Sequence, residues 1–122
     1  MLPKTNRLNK EREIIQVLRT GNRKSGRLLT AVSAASLKPY PRIGFLVSKK
    51  VSNKTNQRNL VKRRLRYIVA QFLASLNPAT NSLLIARTGA NLVPFSELKR
   101  EAKSLFEKLH LFRGARDKVN QT

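Results

Sequence analysis

Cysteine is absent from this 122-residue chain, so no disulfide braces it and no thiolate can hold a metal. Tryptophan is also absent, and histidine occurs once, at His110. A zinc centre needs several His or Cys ligands, which this sequence does not supply. The acids are only Glu11, Glu13, Glu97, Glu101, Glu107 and Asp117. Ser-His-Asp catalysis would require one of them to meet His110. That histidine sits in the apolar run Leu109-His110-Leu111-Phe112 and reads as a packing or surface residue. Lys49-Lys50 lack the preceding glycines of a phosphate-binding loop. No hydrophobic run approaches the roughly 20 residues of a membrane span. Met1 to Lys10 has no apolar core of a secretory signal. These absences predict a cytoplasmic protein with no membrane partner, no catalytic residue and no metal or organic cofactor held by its own side chains.

Positive charge is what the sequence has in excess. Lys and Arg number 26 against 6 acids, a formal net charge of +20. Such a balance is the electrostatic footprint of a nucleic-acid binder. The charge is also unevenly placed: residues 1–66 carry 18 of the basic residues, and residues 38–66 carry ten with no acid among them. At 40% hydrophobic the chain can still build a core. Length and composition predict one domain over residues 1–112, followed by a polar, flexible tail over 113–122.

Periodicity predicts the elements. A first helix is expected over Asn9 to Thr20, capped by Asn9, with Glu11 and Glu13 at the positive end of its dipole. Its apolar face is Ile14, Val17 and Leu18, with Ile15 beside it, and Gly21 is the natural C′ residue to stop it. Strands are expected over 27–36 and 42–48, separated by the breaker Lys38-Pro39-Tyr40-Pro41. A second helix is expected over Gln57 to Leu76 and a third strand over 82–87. Strand, long helix, strand predicts a parallel pairing of the two strands. The last helix is expected to be capped by Ser96 and to bury Leu98, Ala102, Leu105, Phe106 and Leu109. Glu97 with Arg100, and Glu101 with Lys103 nearby, should keep its outer face near neutral.

The second helix carries the chemistry. At 100° per residue, Val61, Leu65, Ile68, Val69, Phe72 and Leu76 share an arc of about 100°, the width of a core-facing stripe. Arg58, Lys62, Arg66, Asn59 and Arg63 occupy the adjoining arc, and Arg64 lies on the far side. Guanidinium groups bind phosphate with two hydrogen bonds at once, and an Asn amide can both donate and accept. Like charges one turn apart weaken an isolated helix, so their accumulation without an intervening acid fits a helix that meets a polyanion. Lys49, Lys50 and Lys54 extend this patch. Arg7, Lys10, Arg12, Arg23, Lys24 and Arg27 are candidates for a second basic region.

Residues 44–66, G-F-L-V-S-K-K-V-S-N-K-T-N-Q-R-N-L-V-K-R-R-L-R, resemble the signature of the bacterial ribonuclease P protein family, G-x-x-V-S-K-K-x-x-x-x-A-V-x-R-N-x-x-K-R-x-x-R. The likeness extends to Leu2-Pro3-Lys4 with Arg7-Leu8, to Arg12-Glu13 through Gly21, and to Ile85-Ala86-Arg87. It implies an α/β chain, an α+β sandwich whose small, mixed, mostly antiparallel sheet packs with about three helices. The signature helix would sit in a left-handed βαβ crossover, against the general right-handed rule. The resemblance also implies a role. Arg58, Asn59, Lys62, Arg63 and Arg66, with Lys49, Lys50 and Lys54, would contact the catalytic ribonuclease P RNA. A cleft between the sheet and the first helix, at Arg7, Ile14, Leu18 and Ser33, would take the 5′ leader of precursor tRNA. The RNA would perform the hydrolysis with magnesium, which Asn59 could help to position in hydrated form, and no protein oligomer would be required.

The sequence departs from the family where Leu60 replaces a usual Arg, Ser52 a usual Gly, and Ile14 and Leu18 two usual phenylalanines. A tyrosine is common where Ser33 or a neighbour stands. Each aromatic stack on an unpaired base contributes ~1–3 kcal/mol, so these replacements lower the expected grip on the leader. On the wheel Leu60 lies away from the basic arc. The alternatives are a structural or ribosomal RNA-binding protein, an architectural DNA binder, a cationic membrane-surface protein and a self-contained nuclease. The first has the same charge and size, and residues 44–66 separate it from the ribonuclease P reading. No helix-turn-helix spacing supports the second. The third would need the apolar face that the core requires, and the fourth lacks acids and histidine.

Overall fold

Leu29–Ala35 and Thr80–Ala86 are apolar or small on both faces, and the structure buries them as the two central strands of a four-stranded sheet. This computed structural model describes residues 2–113. In chain order the strands are β1 (Asn22–Ser25), β2 (Leu29–Ala35), β3 (Arg42–Leu46) and β4 (Thr80–Ala86), and the helices are α1 (Glu11–Thr20), α2 (Thr55–Phe72) and α3 (Phe95–Lys108). The sheet order is β1-β2-β4-β3. β2 pairs antiparallel with β1 and β4, whereas β3 and β4 run parallel with α2 between them, as the strand–helix–strand pattern predicts.

Alternation along the strands divides the core. Leu29, Ala31, Ile43, Leu84 and Ala86 face α2 and α3, where Val61, Leu65, Ile68, Val69, Leu98, Ala102, Leu105 and Phe106 meet them. Val32 and Leu83 face the other side, where they pack with Leu8 and Val17, and with Ile14 and Leu18 half-buried around them. α1 thus covers one face and α2 with α3 the other. Phe72, Phe106 and Phe112 join edge to face at the far end of α2, with Phe72 5.5 Å from Phe106 and 5.4 Å from Phe112 between ring centres.

Several boundaries differ from expectation. β1 went unpredicted because Asn-Arg-Lys-Ser carries no apolar alternation; all four residues are exposed, and a charged edge strand of this kind resists pairing with other chains. Asn9 does not cap α1. The Leu8 N–H donates to Ile43 O at 3.0 Å, which keeps this segment extended beside β3, and Lys10 takes the flanking position with no side-chain cap. Gly21 does end α1, but in extended backbone with φ at −77° and no left-handed turn. It is needed instead for close approach: a Cβ there would stand 2.6 Å from Val17 O and 2.7 Å from Val32 Cγ1. α2 begins at Thr55 and relaxes into a 3₁₀ turn over Leu73–Ser75.

Ser96 does not cap α3 either, because Pro94 occupies the flanking position and its carbonyl accepts from Glu97 N–H at 3.1 Å. Two acids of α3, Glu97 and Glu101, are not spent on their own helix. Glu101 reaches back to accept backbone N–H groups from Arg27 at 3.1 Å and Leu28 at 2.6 Å, and Glu97 approaches Arg27 at 3.7 Å. Arg113, expected in a loose tail, donates through its backbone to Ser75 O at 2.6 Å and through Nε to Leu76 O at 3.0 Å. The rest of the predicted tail, 114–122, lies outside the described residues.

Candidate RNA-binding site

The helical phase of α2 follows the spacing of its apolar residues. Val61, Leu65, Ile68 and Val69 are buried, while Asn59, Arg63 and Arg66 are exposed and Lys62 is half-buried. Arg58, Lys62 and Arg66 recur once per turn over about 12 Å of helix axis. The turn before α2 presents Lys49, Lys50 and Lys54, all exposed.

That turn is held by side chains of the helix it precedes. Ser52 Oγ donates to Gln57 Oε1 at 2.7 Å, and Asn91 Nδ2 donates to the same oxygen at 3.3 Å. Arg58 is half-buried, and its guanidinium donates to Ser52 O at 3.0 Å and to Thr55 Oγ1 at 3.1 Å. One predicted phosphate anchor is therefore partly committed to bracing the turn that presents three others. Ser52, where the family usually has glycine, supplies both a side-chain donor and a backbone acceptor to this brace.

A hollow of about 470 Å³ opens at the edge of β3 and is lined by Arg7, Leu8, Asn9, Ile14, Ile43, Gly44, Phe45, Lys62 and Arg66. It brings together two groups of residues predicted separately: the basic arc of α2, and Arg7 with Ile14 from the expected leader cleft. Arg7 is steered there by its Nε, which donates to Leu2 O at 2.9 Å. Arg42 next to it ties α1 to the sheet: its guanidinium donates to Glu13 Oε1 at 3.2 Å, and its Nε donates to Asn81 Oδ1 at 3.1 Å. The Arg42 hydrogen bonds hold the Glu13 carboxyl below the usual carboxylate range, against a smaller opposing effect of burial.

Two predicted cleft residues stand elsewhere. Leu18 packs half-buried among Val17, Val32 and Leu83 and does not line this hollow. Ser33 is on the opposite face of the sheet from α1, and its Oγ accepts from Ser82 Oγ at 3.3 Å. The period-2 alternation of β2 explains the error: Val32 and Ala34, the flanking residues, are the ones that face α1.

A second hollow of about 470 Å³ lies further round α2 and is lined by Asn56, Asn59, Leu60, Arg63, Arg66 and Tyr67. Leu60 thus shares a surface with the basic residues, contrary to its expected separation from them. Arg66 borders both hollows. Sequence reasoning passed over Asn56 and Tyr67, although both fall beside Arg63 on the same wheel.

The donor set does not fit a resident divalent ion. Among the described residues no three His or acidic side chains converge, Glu13, Glu97 and Glu101 are each engaged by a basic group or backbone N–H, and Asn59 stands among cations. No helix of the described residues is long and apolar enough to cross a membrane.

A small mixed sheet with helices on both faces and an acid-free cationic helix defines a basic protein of the α+β class with a surface suited to a nucleic acid. The family model described as Ribonuclease P matches residues 2–110. The chain belongs to the ribonuclease P protein family, the protein subunit of a tRNA-processing ribonucleoprotein. It is 34% identical over 115 residues to the ribonuclease P protein component of Pseudanabaena sp. (strain PCC 6903), covering 93% of this chain and 99% of that one. It is 36% identical over 119 residues to the component from Streptomyces griseus, covering 89% and 95%. The fold matches a Staphylococcus aureus RNase P protein mutant with defective mRNA degradation activity, with a TM-score of 0.83 at 20% identity over 89% of this chain and 92% of that one. It also matches the Thermotoga maritima RNase P protein, with a TM-score of 0.73 at 20% identity over 81% and 93%.

Proposed function

We propose that this subunit anchors the catalytic RNA through the exposed arc of α2 and holds the 5′ leader of precursor tRNA at the β3 edge, leaving hydrolysis to the RNA. The carrying observation is the hollow that joins Arg7 and Ile14 to Lys62 and Arg66. A strand lying there meets apolar surface from Ile14 and Phe45 and cations from the N-terminal segment and α2. Arg63, Lys62, Arg66 and the lysines at 49, 50 and 54 neutralise phosphates of the RNA subunit, with Arg58 holding the turn in register. Asn59 adds an amide that can meet a base edge, a ribose hydroxyl or the water shell of a magnesium ion carried by the RNA.

Neutralising phosphate repulsion lowers the magnesium that the RNA requires. The chain supplies no catalytic group, works as a single copy and acts in the cytoplasm. Affinity for RNA falls with salt, with a log–log slope of about −0.7 to −0.9 per phosphate neutralised. The alternative of a structural RNA-binding protein without a role in cleavage is not favoured by the relatives.

The test is precursor-tRNA cleavage at low magnesium with the host's ribonuclease P RNA alone, the protein alone, and both. Cleavage at the mature 5′ end only with both is the expected result. Cleavage by the protein alone would overturn the claim that it has no active site, and no enhancement by folded, RNA-bound protein would overturn the subunit role.

A further inference from the structure

The hollow around Leu60 and Tyr67 differs in kind from the rest of the basic surface. Tyr67 is 56% exposed although it is one of only seven aromatic residues (five Phe and two Tyr) in the chain. Its ring is nevertheless held. Phe95, the first residue of α3, meets it at 5.7 Å between ring centres and 63° between planes. Leu60 lies two turns before it on the same side of α2 and is half-buried. Together they form an apolar strip in a helix whose exposed surface is otherwise cationic and polar.

Everything that frames the strip is cationic or amide. Arg63 and Arg66 supply guanidinium groups, and Asn56 and Asn59 supply amides that each donate and accept. No acid stands anywhere between Glu13 and Glu97 in the sequence, and none lines the hollow. A ligand that matches this surface has a flat apolar face, a polar edge carrying donors and acceptors, and an attached anion. We propose that the hollow is a stacking subsite for one unpaired nucleobase of the RNA this protein binds: the base lies on Tyr67 and Leu60, its edge meets the Asn56 or Asn59 amide, and its phosphate meets Arg63 or Arg66.

The proposal rests on the RNA-binding reading above and adds a contact to it. The base must come from a loop, bulge or single strand, because bases inside an A-form duplex are stacked on each other and present no free face. A duplex would be held by the cations alone and would leave the strip uncovered. A protein partner would be expected to bring acids to Arg63 and Arg66 and aliphatic side chains to Leu60, and it would have no need of an aromatic ring at position 67. The chemistry thus separates the two occupants: a base needs the π-face, whereas an apolar protein contact needs only the area.

The experiment measures affinity of the full chain for the ribonuclease P RNA at several salt concentrations. The variants are Tyr67→Ala, Tyr67→Leu, Tyr67→Phe, Tyr67→Trp and Arg63→Ala, each checked for its melting curve. Tyr67→Ala and Tyr67→Leu are expected to weaken binding roughly 5- to 100-fold with an unchanged salt slope. Tyr67→Phe and Tyr67→Trp should stay within about twofold. The chain has no other tryptophan, so the introduced indole reports directly, and stacking should quench its fluorescence on RNA binding.

Full affinity in Tyr67→Leu would show an apolar contact rather than a stack and would overturn the proposal. So would an indole whose emission is unchanged in the complex, or Tyr67→Ala binding as tightly as the parent. In each of those cases Arg63→Ala keeps the two readings apart. Weaker binding with a salt slope reduced by about 0.7–0.9 would leave the RNA-binding arc standing without the subsite. Unchanged affinity and slope would remove the arc itself. Tyr67→Leu and Tyr67→Phe both retain a large apolar side chain against Phe95, so the comparison between them survives if Tyr67→Ala loses its fold.

Discussion

The carbonyl oxygen of Leu8 occupies the space a side chain on Gly44 would take: a Cβ built there stands 2.5 Å from it. Leu8 can lie that close because its N–H donates to Ile43 O at 3.0 Å, laying the N-terminal segment along β3. This contact delivers Arg7 and Asn9 to the hollow shared with Lys62 and Arg66. Gly44→Ala should therefore cost about 1–3 kcal/mol as an overpacked position, and should also lower RNA affinity at temperatures where the variant is fully folded. Urea unfolding and a binding isotherm check the two halves. An unchanged unfolding midpoint would mean that the segment moves aside without cost.

Arg58 and Arg63 should behave differently despite their shared arc. Arg58 donates to Ser52 O and Thr55 Oγ1, whereas Arg63 is exposed and lines the hollow with Leu60 and Tyr67. Arg58→Ala should lose about 1 kcal/mol of stability and unsettle the turn carrying Lys49, Lys50 and Lys54. Arg63→Ala should leave the melting temperature alone and remove about one phosphate's worth of salt slope. Equal effects on stability would show that the Arg58 hydrogen bonds contribute nothing.

The parts of this molecule legible in its sequence are those with strong periodicity. The phase of α2, the burial of Val61, Leu65, Ile68 and Val69, and the parallel pairing of β3 with β4 all follow from spacing. The errors fall where a tertiary contact overrides local preference. Asn9 is a good cap by type, but the Leu8–Ile43 hydrogen bond keeps it in an extended segment. Glu101 looks like a solvated helix residue, and only the fold brings the 27–29 backbone to its carboxylate. The family pattern fixes the cleft position on β2 only to Ser33 or a neighbour, and one residue in a strand is the difference between two faces. β1 carried no signal because nothing on it is buried. Tyr67 had a signal that went unused: an aromatic residue beside Arg63 on the helical wheel.

The Glu13–Arg42 pair makes stability depend on acidity. Its hydrogen bonds depress the Glu13 carboxyl in the folded protein, so the pair stabilises fully above the unfolded value near 4.3 and is lost as pH falls through the lower folded value. Both side chains are mostly sequestered, at 12% exposure for Arg42 and 26% for Glu13. Glu13→Gln should cost about 1 kcal/mol at pH 7, and the gap to the parent should close as both are taken to pH 3 and below. Unfolding curves at the two pH values give the comparison. A gap that stays constant would assign the loss to packing.

Leu65 and Arg66 are adjacent in sequence and should separate fold from binding. Leu65 is fully buried between the sheet and α3, whereas Arg66 is exposed and borders both hollows. Leu65→Ala should cost ~2–5 kcal/mol, with RNA affinity retained wherever the variant remains folded. Arg66→Ala should change stability by less than about 0.5 kcal/mol and weaken RNA binding. Because Arg66 serves the β3-edge hollow and the Tyr67 hollow together, its removal should weaken binding more than removal of Arg63, which lines one. Combining Arg66→Ala with Tyr67→Ala should then give less than the sum of the two losses, since neighbours sharing a ligand do not act independently. Strict additivity would mean that the two side chains touch different parts of the RNA, although they line one hollow.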